Sequence, residues 1–261
     1  MNLFVLFLFI LGICVGSFLN VLIDRLAQDE SVIKGRSRCD RCKKTLGVPD
    51  LIPILSFIFL KGRCRYCGTK ISRQYPLVEA LTGAVWLAVY SFLLNQKGLA
   101  GISVELAYYL TSASCLIVIL ITDLKYRIIP DEMVAVLAIS AFIYLYFSFG
   151  LSITFLVSVL SGLTLFSIFL ALVIVTKGKG MGLGDVKYAF YMGLALGFPN
   201  IIPAFYLSFL TGALISLILV ITERKKMKSK IAFGPYLVLS TFISLFYGDQ
   251  LWLIFRSLLG G

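Results

Sequence analysis

Two aspartates lie where long apolar segments end or begin. A carboxylate at the edge of an apolar segment costs free energy, so its presence there indicates a function. Asp123 directly follows an apolar run that ends at Thr122. Asp185 closes a run with glycine at every second position, 178–184, and opens another apolar segment. Two carboxylates that share a partly dry site cannot both ionise easily, so such a pair holds one proton and can act as acid and base together. The two aspartates are therefore candidates for acid–base chemistry at a membrane edge.

Each aspartate also has an ordinary structural interpretation. Asp185 is a suitable helix N-cap, and Asp123 is placed to pair with Lys125 or Arg127 at the membrane interface. The glycine-rich run is not a nucleotide loop, because it has neither the G-x-x-x-x-G-K-[ST] nor the G-x-G-x-x-G pattern. Further carboxylates near the ends of apolar segments leave the choice of a pair open: Asp24, Glu79, Asp131 and Glu132.

Four cysteines in the largest polar segment have the spacing of a zinc site. They form two C-x-x-C pairs separated by 21 residues and are Cys39, Cys42, Cys64 and Cys67. Four thiolates close a tetrahedral shell around Zn²⁺ and leave it no open position, which predicts a structural ion. A cytoplasmic loop keeps thiols reduced, which favours zinc over disulfides. Redox-active pairs and unliganded thiols are the alternatives.

The elements that must position these residues are membrane spans. The chain has 261 residues, 59% of them hydrophobic and 14% charged, whereas ordinary globular domains are about 25% charged. The sequence contains no histidine, which excludes serine–histidine and cysteine–histidine nucleophiles and the H-E-x-x-H metalloproteases. The composition predicts an all-α polytopic membrane protein.

Runs of about 20 apolar residues mark about eight transmembrane helices. They are predicted at approximately Asn2–Ile23, Leu77–Leu94, Val104–Ile121, Met133–Ser148, Ile153–Val175, Val186–Phe198, Ile201–Ile221 and Ile231–Tyr247. The first is expected to be retained, since it lacks the basic start and the cleavage site of a signal peptide. It carries the G-x-x-x-G pattern of close helix packing, with a partner helix in the same chain or in a second molecule.

Two apolar segments are too short to cross the bilayer as helices. The sixth predicted span needs non-helical chain to complete its crossing. Leu51–Leu60 contains Pro53, and we expect it to lie at the interface or to pack on a neighbouring helix.

Basic residues are segregated between alternate loops. The loops 24–76, 122–132, 176–187 and 222–230 hold 22 of the 24 Lys and Arg residues, and the other side holds only Lys97 and Arg256. By the positive-inside rule, the first set of loops faces the cytoplasm and both termini face out. The net charge of +11 then reflects topology and contact with anionic lipids rather than nucleic-acid binding.

Short motifs along most of the chain resemble those of one family. The motifs are G-S-F-L-N-V at 16–21 with Arg25, the four cysteines, I-S-R at 71–73, Y-P-L-V-E at 75–79 with T-G at 82–83, D-L at 123–124 with I-P-D at 129–131, G-M-G-L-G-D-V-K at 180–187, and F-G-P at 233–235. In this order and at these separations, they resemble the bacterial type IV prepilin leader peptidases with N-methyltransferase activity, a group within the GxGD aspartyl proteases.

The resemblance implies that Asp123 and Asp185 are the catalytic pair and so selects them from the other carboxylates. One aspartate would deprotonate water for attack on the scissile carbonyl, while the other would stabilise the oxyanion and protonate the leaving amine. The implied substrates are prepilins or pseudopilins, whose basic leader ends in glycine before an apolar helix. Cleavage is expected at the cytoplasmic face of the bacterial cytoplasmic membrane.

The resemblance also implies N-methylation of the newly freed N-terminal residue, with S-adenosylmethionine as the donor. This activity is associated in the family with the zinc-bearing loop. Glu79 is a candidate contributor to methyl transfer, with an interfacial charge at a helix start as the equal alternative. The four cysteines favour this bifunctional type over the archaeal preflagellin-type peptidases, which lack the loop. Many relatives have a histidine in this loop, and no role of that histidine transfers here.

The predicted organisation has three parts. A first transmembrane helix at 1–23 precedes a cytoplasmic four-cysteine zinc-binding loop at 24–76. A transmembrane aspartyl peptidase domain with seven helices follows at 77–261.

Two other classes of protein would use some of the same features. An ion-coupled transporter would use Asp123 and Asp185 as a proton relay, but the sequence has no visible internal repeat. A zinc-binding membrane adaptor that catalyses no reaction is the other class. It would not explain the glycine-rich run before Asp185. Prepilin processing is therefore the prediction, and the transporter is its alternative.

Overall fold

Helices account for most of the described chain. The structure is a computed structural model, and it describes residues 2–98, 103–178, 180–222 and 232–258. In chain order the helices are α1 (Asn2–Leu26), a 3₁₀-helix (Val48–Asp50), α2 (Leu55–Phe59), α3 (Gln74–Lys97), α4 (Ser103–Tyr126), α5 (Asp131–Phe149), α6 (Ile153–Val175), α7 (Leu183–Leu196), α8 (Ile201–Ile221) and α9 (Gly234–Leu258). Extended structure within those ranges is limited to isolated β-bridges. The predicted all-α fold is confirmed.

Among the described helices, 7 are long and apolar enough to cross a membrane, namely all except the 3₁₀-helix, α2 and α7. Their outer faces are apolar: α6, for example, exposes Leu156, Leu160 and Leu163 while it buries Gly162 and Phe169. Exposed apolar surface of this extent is suited to contact with lipid. The chain therefore has the character of a multi-pass membrane protein. The count of eight spans stays a prediction, because α7 has only 14 residues.

The ends of the helices show where hydropathy predicts boundaries well and where it does not. Helices α6 and α8 begin and end at the predicted residues. Helix α4 continues to Tyr126, so that Asp123 lies inside the helix rather than after it. Helix α9 continues past its predicted end at Tyr247, where the backbone departs from helical geometry. Polar residues mark the end of an apolar run, but they do not end the hydrogen bonding of a helix.

The predicted bounds of the sixth span, Val186–Phe198, are wrong at both ends. Helix α7 begins at Leu183 and is followed by Gly197 with φ 60°. The basic stretch 223–230 and the predicted start of the last span at Ile231 lie outside the described residues.

The chain divides into two compact units, Met1–Val118 and Ile119–Gly261. In the first unit, α1 and α3 pack at very short distance. A Cβ atom added to Gly12 would lie 2.9 Å from the Cα of Gly83, and one added to Gly16 would lie 2.7 Å from the Cα of Glu79. The G-x-x-x-G pattern therefore serves packing between two helices of the same chain.

In the second unit, α7 packs against four other helices, α5, α6, α8 and α9. Its contact with α6 is the tightest, since a Cβ atom added to Gly193 would lie 2.5 Å from the carbonyl oxygen of Ser161. Tyr188 and Tyr191 on α7 are fully buried. Helix α7 is thus an internal helix of this unit, and Asp185 lies in its first turn.

Candidate active site and metal centre

Asp185 is held by the backbone at the start of its own helix. The cap residue of α7 is Gly182, and Asp185 is the third residue of the helix. The backbone N–H of Gly182 donates to Asp185 Oδ2 at 3.0 Å. Asp185 therefore caps α7 from inside the first turn, and the expectation that it is the N-cap residue itself is wrong. Only 9% of this residue is exposed.

Asp123 lies in the last turn of α4 and faces the start of α9. Asp123 is 6% exposed, and its Oδ2 atom is buried with no hydrogen-bond partner among the described residues. A Cβ atom added to Gly234 would lie 2.5 Å from this oxygen. The close approach requires glycine at this position, and the burial of Asp123 is unlike that of a simple interfacial anchor.

The structure places the two aspartates in one region of the second unit. Their carboxylates lie close enough for electrostatic repulsion. The start of α7 is also tied to the start of α5, because Lys187 Nζ lies 2.6 Å from Asp131 Oδ2. Two buried carboxylates that repel each other are more stable with one proton between them than with both ionised. This arrangement can combine a base with an acid.

Gly234 was not assigned a role from sequence. The available signals were the F-G-P motif at 233–235 and its Gly-Pro pair at the beginning of an apolar segment. That pair is compatible with an ordinary helix start, so only the three-dimensional contact with Asp123 identifies its function.

The four predicted metal ligands come together in the first unit. The sulfur atoms of Cys39, Cys42, Cys64 and Cys67 all lie within 4.8 Å of one another, and those of Cys39 and Cys67 are 3.8 Å apart. Tetrahedral zinc with Zn–S bonds of about 2.3 Å places its sulfur ligands about 3.8 Å apart. The cluster therefore fits zinc.

Each cysteine pair lies in a turn of the same form. In both turns the N–H of the first cysteine donates to a carbonyl five residues later, at 3.0 Å from Cys39 to Lys44 and at 2.8 Å from Cys64 to Thr69. An antiparallel β-bridge closes each turn, Arg38 with Thr45 and Arg63 with Lys70. The two turns are thus equivalent halves of the metal site.

Asp50 supports the second turn and was also missed from sequence. Its carboxylate accepts hydrogen bonds from Gly47 N–H at 3.0 Å, Arg65 Nε at 2.6 Å and Tyr66 OH at 3.2 Å. Burial raises the pKa of Asp50, but these hydrogen bonds and the charge of Arg65 lower the pKa more, and the net pKa is below its ordinary value. Arg65 and Tyr66 lie between Cys64 and Cys67, so Asp50 holds the loop that carries two of the ligands.

Glu79 belongs to the first unit and lines a cavity of about 790 Å³. The cavity lies between the last turns of α1, the cysteine loop and the start of α3, and its walls include Ser17, Asn20 and Arg25. Glu79 Oε2 accepts the backbone N–H of Ile54 at 2.7 Å. This contact supports the expectation that the Leu51–Leu60 segment packs on a neighbouring helix. The volume lies within the usual range for small-molecule sites, about 300–1,000 Å³.

Two family models match successive parts of the chain. Residues 10–93 match the bacterial peptidase A24 N-terminal domain, and residues 110–217 match the type IV leader peptidase family. The first match contains the four cysteines and Glu79, and the second contains both candidate catalytic aspartates.

Several curated proteins are similar to this chain over most of its length. It is 32% identical over 252 residues to a prepilin leader peptidase/N-methyltransferase of Bacillus subtilis, which covers 94% of each protein. It is 30% identical to a protein of the same name from Aeromonas hydrophila, over 93% of this chain and 90% of that protein. A shorter match, to a protein of that name from Myxococcus xanthus, is 45% identical over 131 residues, 50% of this chain and 37% of that protein. No solved structure matches the chain.

Proposed function

The chain belongs to the type IV leader peptidase family, and from this membership we propose that it removes the leader from prepilins or pseudopilins, with Asp123 and Asp185 as the catalytic pair. The observation that carries the proposal is that two buried carboxylates, on α4 and α7, lie within electrostatic range of each other. The carboxylate of Asp123 also lies against the glycine that begins α9. We infer in addition that the protein N-methylates the new N-terminal residue, as the names of its relatives indicate.

The proposed cleavage uses one aspartate as base and the other as acid. The ionised carboxylate takes a proton from water, which attacks the scissile carbonyl, and the protonated carboxyl donates to the oxyanion that forms. The second carboxyl then gives its proton to the departing amine. The two roles belong to the pair as a unit, since a coupled pair titrates together. The Asp123 carboxylate is buried and lies against Gly234 at the start of α9, which supports a fixed orientation for the proposed chemistry.

We propose that the protein lies in the bacterial cytoplasmic membrane with both termini outside and the active site on the cytoplasmic side. The segregation of the basic residues supports this topology only if α7 counts as a crossing, because otherwise the basic loop at 222–230 would lie outside. Four neighbouring helices around α7 support a short crossing, since non-helical chain is tolerated at membrane depth where protein covers it. The basic loops would then contact anionic headgroups.

Zinc and S-adenosylmethionine are the groups that we propose for the first unit. Cys39, Cys42, Cys64 and Cys67 would hold zinc, which would stabilise the fold of the loop. The cavity beside Glu79 would hold S-adenosylmethionine, which supplies an activated methyl group. These assignments rest on the sulfur geometry and on the size of the cavity, together with the names of the relatives.

Substitution of the aspartates tests the peptidase proposal. Asp123→Asn and Asp185→Asn keep the shape of the side chain but remove its acid–base chemistry, and we expect each to reduce cleavage of a purified prepilin by at least 100-fold. The measurement is the rate of leader release in detergent or nanodiscs. Asp249→Asn is the matched control, because Asp249 is an exposed aspartate that accepts a hydrogen bond from Asn200 at 2.9 Å and Asn retains that acceptor. Cleavage at the wild-type rate by both active-site variants would reject the assignment.

A further inference from the structure

Glu79 is a buried carboxylate at the cytoplasmic start of a predicted membrane span. Glu79 lies in the second turn of α3 and is 7% exposed. Its Cα atom faces Gly16 of α1, where an added Cβ atom would approach to 2.7 Å. Leu77, which lies just before it on α3, is 60% exposed, as a lipid-facing residue would be. The carboxylate therefore combines burial in protein with a position near the end of the apolar part of the helix.

The residue that donates a hydrogen bond to the Glu79 carboxylate has a strained backbone. Ser17 lines the same cavity as Glu79, and Ile54 donates its backbone N–H to Glu79 Oε2 at 2.7 Å. Ile54 has φ 60°, a left-handed conformation that is rare for a β-branched residue and costs on the order of 1–3 kcal/mol. Strain of this kind persists where the surrounding structure enforces it, and it is concentrated at functional sites.

We propose that Glu79 is a catalytic residue of methyl transfer, which takes the proton of an α-amine held in the cavity beside the methyl donor. This inference rests on the methyltransferase part of the proposed function. The amine belongs to the first residue of an apolar helix, which is the class of product that leader removal creates.

Charge and position favour an α-amine as the ligand of Glu79. The amine of an apolar transmembrane helix lies where the hydrocarbon begins, and Glu79 lies near the start of α3, where we expect that level to be. An α-amino group has a pKa of about 8 and is mostly protonated at neutral pH. A carboxylate at a partly dry site stabilises this cation when it binds. It also provides an acceptor for the proton that must leave before the nitrogen can act as a nucleophile.

The proposed transfer is balanced in atoms and charge. Glu79 accepts one proton from the α-ammonium group, which frees the lone pair of the nitrogen. The nitrogen then forms a bond to the methyl carbon of the donor as the carbon–sulfur bond breaks, and the sulfur keeps the electron pair. The product is a secondary ammonium group, and Glu79 passes its proton to water.

Glu79 also fixes the start of α2, because it accepts the backbone N–H of Ile54. The variant must therefore remove proton transfer by Glu79 and keep this hydrogen bond. Glu79→Gln retains a carbonyl oxygen that can accept the Ile54 N–H, but it cannot take a proton. We expect this variant to methylate a cleaved pilin at least 100-fold more slowly than the wild type, within the range for loss of a general base. Cleavage of the prepilin should stay at the wild-type rate. Glu105→Gln is the matched control, since Glu105 is the other buried glutamate of the unit, 9% exposed, and lies in the first turn of α4.

Binding provides a readout that does not depend on catalysis. The probes are two peptides with the mature pilin N-terminus, one with a free α-amine and one acetylated. We expect the wild-type protein to bind the free-amine peptide about tenfold more tightly, and Glu79→Gln and Glu79→Ala to lose this preference. S-adenosylhomocysteine should bind the Glu79→Gln variant and the wild type equally.

Three outcomes would overturn the inference. Methylation by Glu79→Gln at the wild-type rate would leave Glu79 with only a supporting role. An equal affinity of the wild type for both peptides would show that the α-amine does not bind at Glu79. Wild-type protein that cleaves prepilin but never methylates it would reject the methyltransferase part of the proposed function, and this inference with it, while the peptidase part would stand.

Discussion

At the scale of single residues, the position of the Asp123 carboxylate depends on Gly234, a neighbour that has no side chain. The backbone of Gly234 lies against Asp123 Oδ2, and a methyl group on Gly234 would lie 2.5 Å from that oxygen. This distance is too short for any real contact, so either α9 or the carboxylate would have to move. The site thus depends on a glycine that takes no part in chemistry.

Gly234→Ala should therefore impair cleavage without unfolding the protein. We expect at least a tenfold lower rate of leader release, because displacement of a catalytic carboxylate by even 1 Å has effects of this size. The measurement is the cleavage rate together with the thermal unfolding midpoint. Leu239→Ala is the control on the same helix, since Leu239 is 49% exposed and the change does not reach Asp123. An unchanged cleavage rate in Gly234→Ala would contradict the proposed orientation of Asp123.

Residue patterns predicted the metal site far better than the site around Glu79. The cysteine ligands are specified by their spacing, because two residues between cysteines suit one turn around a metal ion. The hydrogen bond between Ile54 and Glu79 joins residues on either side of the second cysteine pair. Such a contact depends on how the whole loop closes, and no local pattern encodes it.

At the scale of elements, the two cysteine turns share a left-handed residue directly after the second cysteine. Gly68 has φ 68°, and Lys43 occupies the same place in the first turn with φ 56°. Glycine adopts this conformation freely, whereas a residue with a Cβ atom loses about 1–2 kcal/mol. The first turn is therefore the more strained of two otherwise equivalent halves.

Lys43→Gly should increase the retention of zinc. Metal binding and folding of the loop are coupled, so relief of about 1 kcal/mol is equivalent to about fivefold tighter binding. Gly68→Ala should weaken binding by a similar factor. Competition with a chelator, followed by absorbance, measures both. Lys44→Gly is the control, because Lys44 is not among the left-handed residues, and an equal gain from Lys44→Gly would contradict the explanation by backbone strain.

Helix boundaries were predictable where apolar composition and helical hydrogen bonding end together. This is the case for α6 and α8. The last turn of α4 contains Asp123 and Lys125, and the first turn of α7 contains Asp185. The apolar run ends at such residues, but helical hydrogen bonding continues through them. At the start of α7, Asp185 also accepts the N–H of the cap residue Gly182, one of the terminal groups that a helix leaves without a partner. The boundary errors at the end of α4 and at the start of α7 lie beside the two proposed catalytic aspartates, because the proposed chemistry requires charged groups at the ends of spans.

At the scale of the whole molecule, the two proposed activities have their residues in different compact units. The cysteines and Glu79 lie in Met1–Val118, and Asp185 and Gly234 lie in Ile119–Gly261. The boundary falls within α4, ahead of Asp123. The two family matches follow the same order along the chain.

The activities should therefore be separable by mutation. Asp185→Asn should still transfer a labelled methyl group to a pilin that has already been cleaved. A variant with both Cys39→Ser and Cys64→Ser should lose methylation, because the loop would no longer hold zinc, and it should retain most of its cleavage activity. The two rates are measured on the same preparations, with zinc content determined by mass spectrometry. Loss of both activities in the serine variant, in protein that remains folded, would show that the peptidase also needs the loop.

The length of α7 has a consequence for the supply of water. Its 14 residues rise about 21 Å, whereas hydrocarbon is about 30 Å thick. The four helices that pack against α7 are all longer than it is, and we expect this difference in length to open a water-filled recess at one membrane surface. The proposed hydrolysis consumes water, which the hydrocarbon of the bilayer excludes. Such a recess would let water reach the scissile bond.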